Sequence, residues 1–185
     1  KIIKEAVFKF SHIDALVNNA GIPARNAFLK VDESELDEMF SINLKAPILL
    51  AQLVAHEMIR HEKQGSIINI ASISGHRSTG GIAYDIAKSG LIMATQNIAN
   101  ALGQYGIRAN SVSPGFHKTE MNRYHWENET PLYKKMISVT ALNRAAESEE
   151  IAGTIHYLIS DQSRYTTGAD IVVDGGFLAH CPGRK

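Results

Sequence analysis

The apolar positions along the chain alternate between two patterns, one typical of buried strands and one typical of helices. Strands that alternate with helices of ten or more residues predict an α/β protein with a parallel sheet covered on both faces. The predicted strands are Ile13–Val17, SIINIA at 66–71, IRANSV at 107–112 and ADIVV at 169–173. The predicted helices cover residues 1–10, about 33–61, 82–103 and 149–160.

Local signals mark the limits of the second predicted helix. Asp32 followed by Glu35 is typical of a capping box at a helix start. Pro47 lies within the pattern and predicts a break or kink, and Gly65 is expected to end the helix.

The segment FHKTEMNRYHWENETPLYKKMI at 116–137 is rich in aromatic and polar residues and weak in periodicity. A long loop of this kind in a compact domain favours a lid or a binding segment. The alternative is a disordered surface loop.

Every predicted strand is followed by a polar or glycine cluster. The four clusters are NNAG at 18–21, Ser72, Ser113–Gly115 and Asp174–Gly176. Ligands of open parallel sheets bind beyond the carboxyl ends of the strands. We therefore expect the functional groups to gather at one edge of the sheet.

Composition fits one globular domain over residues 1–185, with 44% apolar and 21% charged residues. Nineteen basic and nineteen acidic residues cancel, which gives no electrostatic basis for nucleic-acid or membrane binding. The only cysteine, Cys181, excludes an internal disulfide and predicts a reducing, cytoplasmic location. The eight histidines have no HExxH or CxxC pattern, so no metal site is expected.

The stretch SISGHRSTGGIAYDIAK at 72–88 contains the strongest candidate chemistry. Tyr84 and Lys88 lie four residues apart in a predicted helix and share one face. A nearby ammonium favours the phenolate, so we expect Lys88 to lower the pKa of Tyr84 and make it a general acid/base. Ser72 directly follows a strand and is the preferred partner; Ser74 is the weaker alternative.

The Ser then Tyr-x-x-x-Lys arrangement resembles the active site of the short-chain dehydrogenase/reductase family. Four further motifs agree in order, namely NNAG at 18–21, Asn43 in FSINLKAP, Ser113–Gly115, and DGG at 174–176. The resemblance implies a three-layer Rossmann-like fold, a doubly wound parallel sheet that binds NAD or NADP. It also implies that the N-terminal strands and their glycine-rich turn are missing from this chain, since no GxGxxG occurs in it.

The resemblance implies a role for each matching residue. Tyr84 exchanges the proton, Ser72 hydrogen bonds to the carbonyl oxygen, Lys88 also binds the nicotinamide ribose, and Asn43 holds a water that links Lys88 to solvent. From the residues alone, Asn43 satisfies backbone groups freed by a kink at Pro47 equally well.

The remaining cofactor contacts that the resemblance implies are Asn19, Ala20, Gly21, Pro114, Gly115, His117 and Thr119. Asn18 is expected to tie neighbouring strands together, and His117 stands where the family often has a small aliphatic residue.

The predicted activity is hydride transfer between NAD(P) and a secondary alcohol or ketone. A sugar or polyol, a 3-oxoacyl thioester and a small cyclic ketone all fit. A polar substrate is favoured if His76, Arg77, His125 and Glu127 line the pocket.

The apolar residues around most of the 82–103 helix predict a homodimer or homotetramer. The alternative function is a catalytically inert fragment or oligomerisation scaffold that cannot bind dinucleotide.

Overall fold

A computed structural model describes residues 2–180, so Cys181 and the tail that follows it lie outside the described residues. Four parallel strands form the main sheet in the order β1-β2-β3-β6. They are β1 Ala15–Asn18, β2 Gly65–Ile70, β3 Ile107–Pro114 and β6 Asp170–Val173. Two short strands, β4 His117–Lys118 and β5 Ala146–Glu147, form a separate parallel pair.

Helices cover both faces of the sheet, which gives the three-layer Rossmann-like architecture predicted from the sequence. The helices are α1 Ile2–Phe10, α2 Glu33–Phe40, α3 Ala46–Arg60, α4 Ile82–Leu102, α5 Arg123–Glu127, α6 Pro131–Ser138 and α7 Ala152–Ile159. Each of β2 and β3 lies between other strands, and nearly every residue of both strands is buried, as expected when both faces are covered.

The core has one apolar cluster on each face of the sheet. On one face α3 and α4 pack against β2 and β3, with Val54, Met58 and Ile67 almost fully buried. On the other face α7 contributes Leu158, which packs against Ile68 and Val112. The period of two in the strands therefore sends alternate residues to different helical layers.

The helix around Pro47 differs from the prediction of a break. The chain is helical from Glu33 to Arg60, and the irregularity is a π-helical turn, Ser41–Lys45, that precedes the proline. Pro47 has no N–H and its ring crowds the carbonyl of Asn43, four residues earlier. The wider turn accommodates the ring without interrupting the helix.

Gly65 does not end this helix, so that prediction is wrong. Residue 65 is the first residue of β2, and α3 ends earlier, at Arg60. A Cβ at position 65 would lie 2.6 Å from the sulfur of Met58. Glycine at this position allows the Met58 side chain to pack directly against the strand.

Asp32 caps α2 as predicted, and its side chain accepts a hydrogen bond from the Glu35 N–H at 2.8 Å. The Glu35 side chain, which would complete the capping box by bonding to the backbone N–H of Asp32, contacts a loop instead. The buried carboxylate of Glu35 accepts from the backbone N–H groups of Arg25 and Asn26, at 3.0 and 3.1 Å. Glu35 thus holds the loop that follows NNAG against α2.

The 116–137 segment contains more secondary structure than the loop that both predictions assumed. It contains β4, a 3₁₀ turn at Glu120–Asn122, and the helices α5 and α6. Thr130 caps α6 and Pro131 occupies its first turn, where a missing N–H costs nothing. Short helices of one or two turns leave too little periodicity to be recognised from the pattern alone.

The continuous helix Glu33–Arg60 is long and apolar enough to cross a bilayer by length and composition. Core helices of soluble proteins pass the same test. Here the α3 part buries Ala51, Val54 and Met58 against the sheet. These contacts bury part of its apolar surface.

Asn18 ties neighbouring strands together, as predicted. Its amide nitrogen donates to Asn69 on β2 at 2.8 Å and to the Pro47 carbonyl at 3.2 Å. Asn69 in turn donates to Thr95 on α4 at 2.8 Å. All three side chains are buried, so this polar chain links β1, β2, α3 and α4 inside the fold.

Replacing Asn18 with leucine tests this link. The variant leaves the buried Asn69 side-chain oxygen without its donor, which costs about 1–3 kcal/mol for a buried unsatisfied group, and it removes the additional bond to the Pro47 carbonyl. We expect a clearly lower free energy of unfolding in urea. Val17→Ala, next to it but 39% exposed, is the control and has a smaller effect. A wild-type midpoint for Asn18→Leu would contradict the role of this contact.

Candidate active site

The carboxyl ends of β1, β2 and β3 open onto a cavity of about 550 Å³ next to the first turns of α4. This volume is typical of small-molecule and cofactor sites. Of the predicted site residues, ten line the cavity: Asn19, Ala20, Gly21, Ser72, Tyr84, Lys88, Pro114, Gly115, His117 and Thr119. Asn43 lies directly behind its wall.

Tyr84 and Lys88 occupy successive turns at the start of α4, as the spacing predicts. The Lys88 ammonium lies 5.6 Å from the centroid of the Tyr84 ring. It also donates a 2.7 Å hydrogen bond to the carbonyl of Ile70, the last residue of β2. Helix and strand thus fix the lysine side chain between them.

Burial lowers the pKa of Lys88 from its ordinary 10.5 to about 8. The side chain is only 5% exposed, so water cannot stabilise the ammonium. A lysine with this pKa can release and regain a proton near neutral pH.

Burial has the opposite effect on the pKa of Tyr84 and raises it above the ordinary value of 10.0. A hydrogen bond with Ser72 lowers this pKa and the charge of Asp85 raises it, but desolvation is the largest cause. The prediction that Lys88 brings the pKa of Tyr84 down is therefore wrong for this structure. The phenol is therefore protonated at neutral pH.

Ser72 begins a tight 3₁₀ turn, Ile73–Gly75, and its oxygen accepts from the Ser74 N–H at 3.1 Å. This contact leaves the hydroxyl proton of Ser72 available for a partner in the cavity. The Ser74 hydroxyl instead pairs with the Thr79 hydroxyl at 3.0 Å, and Ser74 is not among the lining residues. The geometry favours Ser72 over Ser74.

Asn43 is fully buried in the π-helical turn. Its side chain pairs with the backbone of Ile22, with both the N–H and the carbonyl at 2.8 Å. The side chain thus ties the loop after Gly21 to the helix, and it does not satisfy groups freed by Pro47. A Cβ on Gly21 would lie 3.0 Å from the Asn43 oxygen and 3.8 Å from the Lys88 nitrogen.

Pro114–Thr119 forms the opposite wall. A Cβ at Gly115 would lie 2.7 Å from the Cα of Asp174, so the two glycine-containing turns are in close contact. His117 is buried, with Nδ1 3.3 Å from the Gly115 carbonyl and Nε2 without a partner among the described residues. Asn122 fixes this wall by donating to the His117 carbonyl at 2.7 Å.

Four residues expected at the pocket lie elsewhere. His76 pairs with Asp170, and the Arg77 guanidinium lies 5.3 Å from the Phe177 ring. His125 bonds to Thr130 and Glu127 pairs with Arg123. The cavity is instead completed by residues that sequence reasoning missed, namely Ile70, Ala71, Met121, Asn122, Ser148 and Ile151. Ser148 and Ile151 stand in a 3₁₀ turn before α7, and no local pattern marks them.

Comparisons with known proteins show similarity over nearly the whole chain. A family model described as "Enoyl-(Acyl carrier protein) reductase" matches residues 1–178. The L-xylulose reductase of Caenorhabditis elegans is 39% identical over 166 residues, covering 89% of this chain and 66% of that protein. The chain thus spans just under two thirds of the length of this relative.

Two solved structures have the same fold. A 4-hydroxyisoleucine dehydrogenase complexed with NADH is 33% identical, with a TM-score of 0.90 over 97% of this chain and 74% of that one. A gluconate 5-dehydrogenase from Burkholderia cenocepacia, in complex with NADP and tartrate, is 30% identical, with a TM-score of 0.89 over 97% and 70%.

The buried Lys88 predicts an unusual dependence of stability on pH. Its folded pKa of about 8 lies below the unfolded value of 10.5, so the unfolded state binds more protons and folding is favoured as the pH rises through this range. From pH 7 to pH 9 the wild type gains about 1 kcal/mol from this group. Lys88→Met removes this gain.

Urea unfolding at the two pH values measures the difference between the variants. Leu91→Met, also buried on α4, is the control for introducing methionine and keeps the wild-type gain. Equal changes with pH in wild type and Lys88→Met would contradict the burial argument.

Proposed function

This chain belongs to the short-chain dehydrogenase/reductase family, and we propose that it transfers a hydride between NAD or NADP and a secondary alcohol or ketone. The observation that carries the proposal is the convergence of Ser72, Tyr84 and Lys88 on one cavity at the carboxyl edge of the sheet. A proton donor, a hydroxyl donor and a titratable amine are the groups that carbonyl reduction requires.

The cavity fits the nicotinamide half of such a cofactor. The absence of a side chain at Gly21 leaves room beside Asn43 and Lys88 that a Cβ would fill. We propose that Lys88 and Tyr84 bind the ribose hydroxyls and that Asn19, Ala20 and Gly21 contact the adenosine side. Pro114, Gly115, His117 and Thr119 contact the nicotinamide amide or the diphosphate. When bound, the cofactor supplies a hydride to the carbonyl carbon, or accepts it from the alcohol carbon.

Tyr84 is the proposed general acid/base. The raised pKa keeps its phenol protonated, so it can donate a proton to the carbonyl oxygen during reduction. In the oxidation direction the phenolate takes that proton back from the alcohol. Ser72 donates its hydroxyl proton to the same oxygen and stabilises the negative charge that develops there. The orientation of Ser72 by the Ser74 N–H supports this role.

Lys88 and Asn43 are proposed to return protons to the site. A pKa of about 8 allows Lys88 to exchange its proton near neutral pH. Pro47 cannot donate to the Asn43 carbonyl, which favours a water at that carbonyl. A water there would connect Lys88 to solvent through the π-helical turn.

A sugar, polyol or related hydroxy compound is the proposed substrate class. The relatives include an L-xylulose reductase and a gluconate 5-dehydrogenase, and the cavity offers a polar wall of Ser72, Thr119, Asn122 and Ser148. A 3-oxoacyl thioester is the second class to be assayed.

We further propose a cytoplasmic homodimer or homotetramer. Leu49 and Leu53 on α3 are 46% and 52% exposed, and Ile86 and Met93 on α4 are 49% and 58% exposed. On each helix the two residues share one face, so these faces are apolar surfaces that a second copy would cover.

Tyr84→Phe tests the proton donor. We expect a loss of turnover by a factor of roughly 100 to 10,000, because the phenol oxygen is the group that transfers the proton. Binding of NADH and NADPH, measured by fluorescence titration, changes only a few fold, because Lys88 still binds the ribose and the other proposed cofactor contacts are unaltered. Turnover like that of the wild type would overturn the assignment. If the wild-type chain binds neither nucleotide, the alternative of an inert fragment or oligomerisation scaffold is favoured.

A pair of alanine variants distinguishes the two serines. Ser72→Ala is expected to lower kcat by a factor of roughly 100 to 1,000, as for loss of a hydrogen-bond donor to a developing oxyanion. Ser74→Ala keeps kcat within a few fold because its hydroxyl is engaged with Thr79. The reverse order of effects would transfer the role to Ser74.

A further inference from the structure

The turn that carries Ser72 is rigid within itself. Three hydrogen bonds close it: Ser74 N–H to the Ser72 side chain at 3.1 Å, Gly75 N–H to the Ser72 carbonyl at 2.9 Å, and His76 N–H to the Ile73 carbonyl at 3.0 Å. While these bonds are formed, residues 72–76 move as one unit. The orientation of the Ser72 hydroxyl depends on what holds this unit to the rest of the fold.

One attachment joins the turn to α4. The Ser89 hydroxyl donates to the Gly75 carbonyl at 2.8 Å. A Cβ on Gly75 would lie 2.7 Å from the end of the Ile92 side chain and 3.1 Å from the Lys88 carbonyl, so the turn lies directly on the helix that carries Tyr84 and Lys88. A unit held along one side can still pivot about that side.

The second attachment is a histidine and a carboxylate that lie 94 positions apart in the sequence. His76 Nε2 lies 2.8 Å from the Asp170 carboxylate, and Asp170 is the first residue of β6. The other oxygen of Asp170 accepts from Ser111 and Ser113 on β3, at 2.5 and 3.0 Å. Since a carboxylate accepts hydrogen bonds, His76 Nε2 is the donor in this pair.

The sheet register aligns the partners of Asp170. Ser111 lies directly opposite Asp170 in the parallel pairing, and Ser113 is two residues further on the same face. The carboxylate side chain is only 9% exposed, and neighbouring hydrogen bonds fix its position. Asp170 is therefore a rigid anchor, and His76 transfers its position to the turn.

We propose that His76 is a positioning residue for Ser72, held by Asp170. His76 does not line the cavity, so it acts through the turn and touches neither substrate nor cofactor. Together the Ser89 and Asp170 attachments remove the pivot of the turn and direct the Ser72 hydroxyl at the carbonyl oxygen. This inference rests on the proposed function of Ser72.

A double-mutant cycle in the full chain tests the proposal. His76→Phe keeps a ring but removes the donor, and is expected to lower kcat by a factor of about 10 to 100, the scale of a displacement of about 1 Å in a reacting group. The KM for the nucleotide stays within about twofold. In a Ser72→Ala background the same substitution has no further effect on kcat, because there is no hydroxyl left to position. His76→Gln, which restores a donor, recovers part of the loss.

His12→Phe is the matched control. His12 Nε2 pairs with Asp14 at 3.1 Å, and the His12 side chain is 32% exposed, as is that of His76. This pair precedes β1 at the other end of the sheet, so its loss leaves kcat unchanged. An equal loss from His76→Phe with and without Ser72 would overturn the proposal, as would an unchanged kcat in the wild-type background.

Amide hydrogen exchange provides a measurement that does not depend on turnover. His76→Phe is expected to speed exchange at the Ser74, Gly75 and His76 amides by about tenfold, because the turn opens more often once its end at residue 76 is no longer held by Asp170. Strand β2 and the middle of α4 stay protected. Unchanged exchange in the turn would overturn the positioning role even in an active enzyme. If the wild type turns over no substrate, the proposed function fails, and the exchange result decides separately whether His76 holds the turn.

Discussion

The parallel register of the four central strands is the constraint on which the site depends. Asn18 pairs with Asn69 at the ends of β1 and β2, and Pro114 pairs with Val173 at the ends of β3 and β6. Every strand therefore delivers its following loop to the same edge. Because α4 begins soon after β2 ends, Tyr84 and Lys88 stand beside the same edge as Ser72 and Gly115.

The strands bury apolar residues near their amino ends and polar residues toward their carboxyl ends. Near its amino ends, Ile67 and Ile107 belong to an apolar cluster with α3 and α4. Toward the carboxyl ends, buried Asn69, Ser111 and Ser113 replace apolar side chains, and each hydrogen bonds to another element. Buried polar groups are tolerated only when they are paired. The cost of placing polar groups beneath the cavity is thus offset by a network that also fixes the loops.

Sequence periodicity was sufficient for the main elements, and the family resemblance indicated most of the cavity wall. Strands β2 and β3, helix α4 and the Asp32 cap follow directly from local patterns, and ten predicted residues line one cavity. The misses have physical causes. The role of Gly65 depends on its close contact with the Met58 sulfur, and the raised pKa of Tyr84 depends on burial of the phenol. Both are consequences of tertiary packing. The His76 and Asp170 contact joins residues with no local relation, so no window of sequence reveals it.

Burial determines which of the two titratable side chains in the site, Lys88 or Tyr84, has the higher pKa. In water a lysine and a tyrosine differ little, with ordinary pKa values of 10.5 and 10.0. Burial disfavours both charged forms, so the pKa of Lys88 falls to about 8 while that of Tyr84 rises. As the pH increases, Lys88 therefore loses its proton first and Tyr84 retains its own. Near neutral pH the buried phenol therefore keeps its proton, while the pKa of the amine beside it lies close to this range.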